Sequence, residues 1–409
     1  MRKIRKDALP AKIGYREIVA LLATQMSKQT SFADMFNLYL LNQRVLKDWT
    51  FIVATTEPDN MDLYLGMEGI PGIKERLFTP FANGRVSIIN DKILKRCLKK
   101  NDSRARIYRS VSFDTQTVSY IERYHKNGSA PYEGFDAVIH LLKGEDTGID
   151  YIPYTLENLM FDLSRKDSVE QTLFAFEMMC GENAGNEKKC KKQAHNVVSL
   201  YGKKEFEVPF AAKELYRTIY LALLKMSQIQ LEFSEQTADK KLELFVEFMT
   251  TELCRIIPPE INLAQIFFTK GTGCGFFGKI QVGNHNVLDQ LKNMTWDLMH
   301  LRFLNYSSTM FNSRKGDALI PYFFTYDRKL QGVRECYCLR ALAINAKNQS
   351  LIPIYVVDDY IQNLLNECGT LEKHTARMQK KPDVEQLIAK YEKNLAKLII
   401  GEKKYPLPN

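Results

Sequence analysis

No apolar run in the 409-residue chain approaches the ~18 residues of a membrane-spanning helix; the best, TIYLALLKM, is far shorter. No membrane association is expected. The start, MRKIRKDALPAKIGY, is basic but lacks the apolar stretch of a secretory signal, so a soluble cytoplasmic protein is expected. Nucleotide-binding fingerprints are also missing. No G-x-G-x-x-G follows a strand, and the glycines of TKGTGCGFFGKIQVGNHN (269–286) do not lead into the G-K-[ST] of a P-loop. That segment reads as a mobile loop or hairpin. No serine- or cysteine-hydrolase motif is present. The eight cysteines are scattered through the chain, and neither the C-x-C of Cys336 and Cys338 nor the pair Cys180 and Cys190 near His195 supplies four zinc ligands. Reduced, mostly buried thiols are expected.

What is present is ordinary for a folded protein: 45% hydrophobic and 26% charged residues, in a chain long enough for two or three units. The net charge of +9 leans toward an anionic partner such as nucleic acid. Basic clusters recur at KILKRCLKK (92–100) and KKCKK (188–192), either as solvated faces or as phosphate contacts.

Along the chain, residues 1–105 read as a mainly helical accessory region, a candidate for regulation or a protein partner. It contains one strand, WTFIVATT, closed by the turn-prone EPDN, and a capping pair, Ser31 and Asp34. From 106 to 365 strands alternate with helices, which implies a parallel sheet flanked by helices. IYRSVSFD is a strand followed by the helix TQTVSYIERYH. FDAVIHLLKG is left open between strand and helix, and a helix is expected near Tyr154 with Pro153 in its first turn. Residues 166–265 read as a helical insertion of three amphipathic segments, SVEQTLFAFEMM, AAKELYRTIYLALLKMSQIQL and DKKLELFVEFMTTELCRII, separated by polar runs rich in Lys, Asn and Gly. VLDQLKNMTWDLMHLRFLN is a further helix. ALIPYFFTYDRKLQGVRECYCLRAL reads as strand, turn and helix, and SLIPIYVVDDYIQNLLNE as strand and helix. Residues 366–409 end in an amphipathic helix.

Acidic residues stand at the ends of these elements. Asp114 ends one strand and Asp327 follows another, so both lie at one sheet edge if the strands are parallel neighbours. Glu157 and Asp297 fall in helices among apolar residues, where a solvated charge is not expected. A carboxylate buried there needs a cation, a metal or a proton. Each acid also has a plainer reading: Asp114 and Asp327 as helix caps, Glu157 and Asp297 as polar-face residues.

The order strand–Asp, helix–Glu, helix–Asp, strand–Thr-x-Asp resembles that of the PIN-domain (PIN-like) metal-dependent nucleases. Asp114-Thr115-Gln116 resembles their D-T-N, with Gln116 in place of Asn. Glu157 matches their second acid, Asp297 the third, and Thr325-Tyr326-Asp327 the closing T-x-D. LIPIYVV matches the last strand. The interval between Glu157 and Asp297 is longer than in small members and would hold the helical insertion; Glu170 and Glu177 are the alternatives to Glu157. The resemblance implies that Asp114, Glu157, Asp297 and Asp327 surround Mg²⁺ or Mn²⁺, the hard cations that suit oxygen ligands, with Thr325 beside them. It implies an endonuclease, an endoribonuclease first, that hydrolyses phosphodiesters with a metal-activated water to 3′-hydroxyl and 5′-phosphate ends. RNA is the expected substrate, single-stranded DNA the next. Asn158 is a minor candidate, and His300 either touches substrate phosphate or is structural. Two alternatives stay open: an inactive PIN-like scaffold that binds RNA or protein, and an unrelated α/β interaction module.

Overall fold

The computed structural model describes residues 14–55, 75–81, 85–129, 147–203, 208–310, 316–367 and 380–400, together with Pro131, Phe135, Ile139 and Phe206. EPDN and, beyond Phe135 and Ile139, FDAVIHLLKG lie outside the described residues. The chain is a mixed α/β protein that divides into two compact units. The first comprises 1–204, 301–326 and 338–356; the second comprises 205–300, 327–337 and 357–409.

The first unit opens with α1 (Tyr15–Met26), α2 (Phe32–Leu41) and α3 (Gln43–Leu46), followed by β1 (Thr50–Ala54), β2 (Leu77–Phe78), β3 (Val86–Ile89) and α4 (Asp91–Lys100). Next come β4 (Ile107–Phe113), α5 (Thr115–Asn127), β5 (Thr147–Asp150), α6 (Ile152–Leu159), α7 (Lys166–Cys180) and α8 (Glu187–Tyr201). Local chemistry sets several boundaries. The Ser31 hydroxyl oxygen accepts from the Asp34 amide and starts α2, and Asn90 accepts from Lys92 and Ile93 to start α4. Gly128, with φ +67°, ends α5 in the left-handed conformation that glycine adopts without steric cost.

Three later strands complete the unit: β6 (Ala318–Phe324), β7 (Leu339–Asn345) and β8 (Ser350–Tyr355). They form two sheets. One has the order β3-β1-β7-β8 and is antiparallel throughout; the other has the order β2-β6-β4-β5. In the second, β4 runs parallel to both β5 and β6, and β2 is antiparallel to β6. The expected parallel sheet is therefore three strands wide with an antiparallel edge. LIPIYVV is a strand, as expected, but it lies in the other sheet, antiparallel to β7, and Pro353 fits there because β8 is an edge. The expected helix at CLRAL is β7 instead. Flanked by strands on both sides and almost wholly buried, it carries a continuous apolar run whose period does not distinguish strand from helix.

The two-residue alternation of β1 divides the core. Phe51 and Val53 pack with Val19, Leu22 and Met26 of α1, while Ile52 joins Leu342, Phe113 and Phe324 in a second cluster shared by both sheets. Val118 and Ile121 of α5, Leu173 and Phe176 of α7, and Ala194 and Val198 of α8 close that cluster. Helix α8 lies within the stretch read as a polar run.

The second unit is helical: α9 (Val208–Glu232), α10 (Ala238–Thr251), α11 (Pro258–Lys270), most of α12 (Val287–Ser307), α13 (Asp359–Glu367) and α14 (Val384–Ile400). The expected insertion at 166–265 is helical, but α7 and α8 belong to the first unit and α9 to α11 to the second. The glycine segment contains turns and one 3-10 turn, Gly271–Gly273, rather than a hairpin; Phe276 and Phe277 anchor it in the core. Seven described cysteines are free thiols, five of them buried, as expected. Among the described residues no helix is long and apolar enough to cross a membrane.

Candidate functional site

The carboxyl ends of β4 and β6 lie side by side, with Phe113 opposite Phe324 and the Asp114 amide donating to the Phe324 carbonyl at 3.2 Å. This register brings Asp114 and Thr325, the residues that follow the two strands, to one point. The Thr325 hydroxyl donates to Asp114 Oδ2 at 2.5 Å, and the Thr117 amide donates to Oδ1 at 2.6 Å. The Tyr326 amide also faces the carboxylate. Asp114 is thus the N-cap of α5, as the plainer reading has it, and at the same time the centre of a polar cluster.

Glu157 reaches this cluster from α6. Its Oε2 accepts from the hydroxyl of Thr115, the residue next to Asp114. Burial pushes the Asp114 carboxyl above the ordinary aspartate range, and its hydrogen bonds oppose that shift only in part. Burial also pushes Glu157 up; the Thr115 hydrogen bond opposes it, and the negative charge of Asp114 adds to it. Both carboxyls are thus poorly solvated, and Thr115, next to Asp114, links them.

The other expected acids have partners or surroundings of their own. Glu170 faces His195 across 3.2 Å, and Glu177 accepts from the Tyr151 hydroxyl at 2.8 Å. The charge of Asp114 acts on Glu157, whereas the charge that acts on Glu177 is that of Glu182. Asp297 is half-buried on α12 within the second unit. Asp327 opens a segment assigned to that unit and accepts from the Lys329 amide at 2.7 Å, a local turn bond. His300 is 3% exposed, beside Trp296. Asn158 donates back to the Tyr154 carbonyl at 2.9 Å, along its own helix.

One acid escaped the sequence reading. Asp150 ends β5, the parallel neighbour of β4 on its other side. Ser110 and Ser112, two residues apart and so on one face of β4, donate to its Oδ2 at 3.0 and 2.8 Å, and the Ile152 amide donates to Oδ1 at 3.0 Å. Burial raises its pKa as well. The bonds tie the start of α6, and with it Glu157, to β4. The signal in the sequence is S-x-S before Asp114, since serines on a buried strand face need partners.

Among the described residues no three His, Cys, Asp or Glu side chains gather around one point. Asp114 and Glu157 nevertheless fit a hard divalent ion, because Mg²⁺ commonly takes one or two carboxylates and keeps several waters. No protein-family model, no curated protein and no solved structure matches the chain.

Proposed function

We propose that the chain is a PIN-like, divalent-metal-dependent endoribonuclease whose centre is gathered around Asp114 and Glu157. The observation that carries this reading is the approach of two poorly solvated carboxyls, Asp114 at the end of β4 and Glu157 on α6, linked through Thr115, with the charge of Asp114 raising the pKa of Glu157. Such a pair is stabilised by a cation held against it. Asp114 and Glu157 would hold Mg²⁺ or Mn²⁺, which when bound neutralises the pair and polarises the phosphate and its attacking water.

The protein's own groups keep that arrangement in place. Thr325 and the Thr117 and Tyr326 amides fix Asp114, and Thr115 fixes Glu157. The amino end of α5 favours the anionic form of Asp114. Water oxygen attacks phosphorus, the bond from phosphorus to the 3′-oxygen breaks, and that oxygen takes a proton, leaving 3′-hydroxyl and 5′-phosphate ends. Exposed lysines on α4 (Lys92, Lys95, Lys99 and Lys100) and α8 (Lys188, Lys189, Lys191 and Lys192) offer the electrostatic attraction that a polyphosphate strand requires.

A second reading, a nucleic-acid-binding scaffold without chemistry, draws on the helix-cap bond of Asp114. One experiment separates the two. Purified full-length protein is incubated with labelled single-stranded RNA and DNA in Mn²⁺, Mg²⁺ or EDTA, beside Asp114→Asn, which keeps a capping oxygen. Metal-dependent cleavage lost in the variant supports the nuclease and ranks its substrates. Binding without cleavage leaves the scaffold. Equal cleavage by both proteins removes Asp114 from the chemistry.

A further inference from the structure

Beside the paired carboxyls lies a cluster that the chemistry above does not use. Gln116, Tyr120 and Arg123 follow one another at helical spacing along α5, directly after Thr115. Gln116 donates to the Tyr120 hydroxyl at 2.6 Å, and the Arg123 guanidinium lies 5.9 Å from the Tyr120 ring centre. Across from them, the Tyr326 ring stands 5.5 Å from that of Tyr120, tilted by 61°, and is backed by Phe324 at 5.3 Å. Arg76 lies over Tyr326 at 4.5 Å. Its carbonyl accepts from the amide of Thr325, whose side chain holds Asp114.

Internal packing accounts for Phe324, for Tyr326 and for the inner side of Tyr120, which packs against the core. It does not account for the outermost members, Gln116 and Arg123. Gln116 and Arg123 are exposed, Tyr120 is half-exposed, and among the described residues Arg123 forms no ion pair with a carboxylate. A half-exposed tyrosine ring with a guanidinium over its face, beside a second ring covered in the same way, is an arrangement that takes an unpaired base by stacking and its phosphate by charge. The cluster is continuous with the carboxyl pair through two covalent neighbours, Thr115–Gln116 and Thr325–Tyr326. The cluster is thus placed beside the position that a scissile phosphate at Asp114 would take.

We propose that Tyr120, Tyr326, Arg76, Arg123 and Gln116 form a shelf that seats the unpaired nucleotide flanking the scissile phosphate, and so select single-stranded segments. The inference rests on the nuclease reading for the position of the cut, but strand binding itself does not require cleavage. Tyr120 stacks on the base, Arg123 pairs with the phosphate, and Gln116 holds the Tyr120 hydroxyl. A base inside a duplex is already stacked on its neighbours and cannot offer its face.

The test separates binding from chemistry. Fluorescence anisotropy of the full-length protein in EDTA measures affinity for a short labelled oligouridylate, an oligothymidylate and a blunt duplex. Tyr120→Leu, which keeps apolar bulk, and Arg123→Ala, at an exposed position, are compared with wild type, and thermal melts check folding. The expected result is tighter binding of single strands than of duplex. Tyr120→Leu weakens the single strands about tenfold or more, with duplex binding unchanged. Arg123→Ala weakens them and lowers the slope of log affinity against log salt by about 0.7. Unchanged affinity in both folded variants, equal binding of duplex and single strand, or no binding by wild type overturns the shelf. Should Tyr120→Leu fail to fold, the Arg123→Ala affinity and salt slope decide alone. Strand binding that depends on Tyr120, without cleavage in Mn²⁺, overturns the nuclease and leaves the shelf standing. Cleavage in Mn²⁺ with no effect of either variant on binding does the reverse.

Discussion

Thr325 gives its hydroxyl hydrogen to Asp114 Oδ2 across 2.5 Å and 211 residues of sequence. The bond joins the residues that follow two parallel strands, and it supplies one of the few polar contacts available to a buried carboxylate. Its removal is therefore informative.

Thr325→Val keeps the shape of the side chain and removes the donor. Asp114 then loses a hydrogen bond that lowers its pKa, so the carboxyl titrates higher still. Under the proposed function, the acid limb of the kcat/KM profile moves to higher pH, and activity at fixed metal falls about 10- to 100-fold. Thr325→Ser restores both. An unmoved acid limb in the valine variant would show that this bond does not tune the centre.

The raised carboxyls also fix a sign for stability. Asp114, Asp150, Glu157 and Glu177 all titrate above their ordinary values, with burial as the main cause. Between the ordinary carboxylate range and the raised folded values, the folded chain binds more protons than the unfolded chain. The contribution of these groups to stability therefore falls as pH rises through that window. In EDTA, the melting temperature of Asp114→Asn should gain on that of wild type as pH rises, and Mn²⁺ should stabilise wild type more at neutral than at acidic pH. Parallel melting curves for the two proteins would contradict this.

Asp150 gives a test free of any assumption about function. Asp150→Ala strips the acceptor from Ser110, Ser112 and the Ile152 amide. The expected loss is about 2–4 kcal/mol in urea unfolding, with an unchanged m-value. A loss below about 0.5 kcal/mol would mean that these donors find water instead.

Asp317 anchors the other end of β6. Arg96 clasps it with two nitrogens at 3.2 and 2.8 Å, and the Arg106 amide adds a third bond at 2.9 Å. The aspartate side chain is 4% exposed and that of Arg96 29%, so Asp317→Ala leaves a partly buried guanidinium without its partner. A destabilisation of about 3 kcal/mol is expected from chemical denaturation. Asp317→Asn should recover part of it, since one oxygen remains to accept.

Asp114 was legible because an alternating strand, an acid and a helical period follow one another within a few residues. Thr325 was legible in the same way, as a residue that follows a strand, and Glu157 as an acid set among apolar residues in a helix. Asp150 was not, since β5 is only four residues long, TGID, with one apolar side chain and hence no period to read. Leu342 and its neighbours in β7 read as helix because a strand covered on both faces shows no alternation. The pairing of β8 with β7 could not be read locally at all, as propensity marks a strand but not its partner. In α8 the pattern was present, with Cys190, Ala194 and Val198 buried at four-residue steps, but the surrounding lysines hid it.

The first unit is interrupted in sequence, and this sets the order in which it can be completed on the ribosome. Helices α1 to α8 and strands β1 to β5 emerge early, yet β4 gains its β6 neighbour, and Asp114 its Thr325, only after 318–326 have left the exit tunnel. Strands β7 and β8 follow later still. A prematurely terminated chain lacking these residues retains the helix cap at Asp114 but never acquires the cluster. For the proposed nuclease, translation past β6 would act as an interlock, so that truncated products made close to messenger and ribosomal RNA are inert.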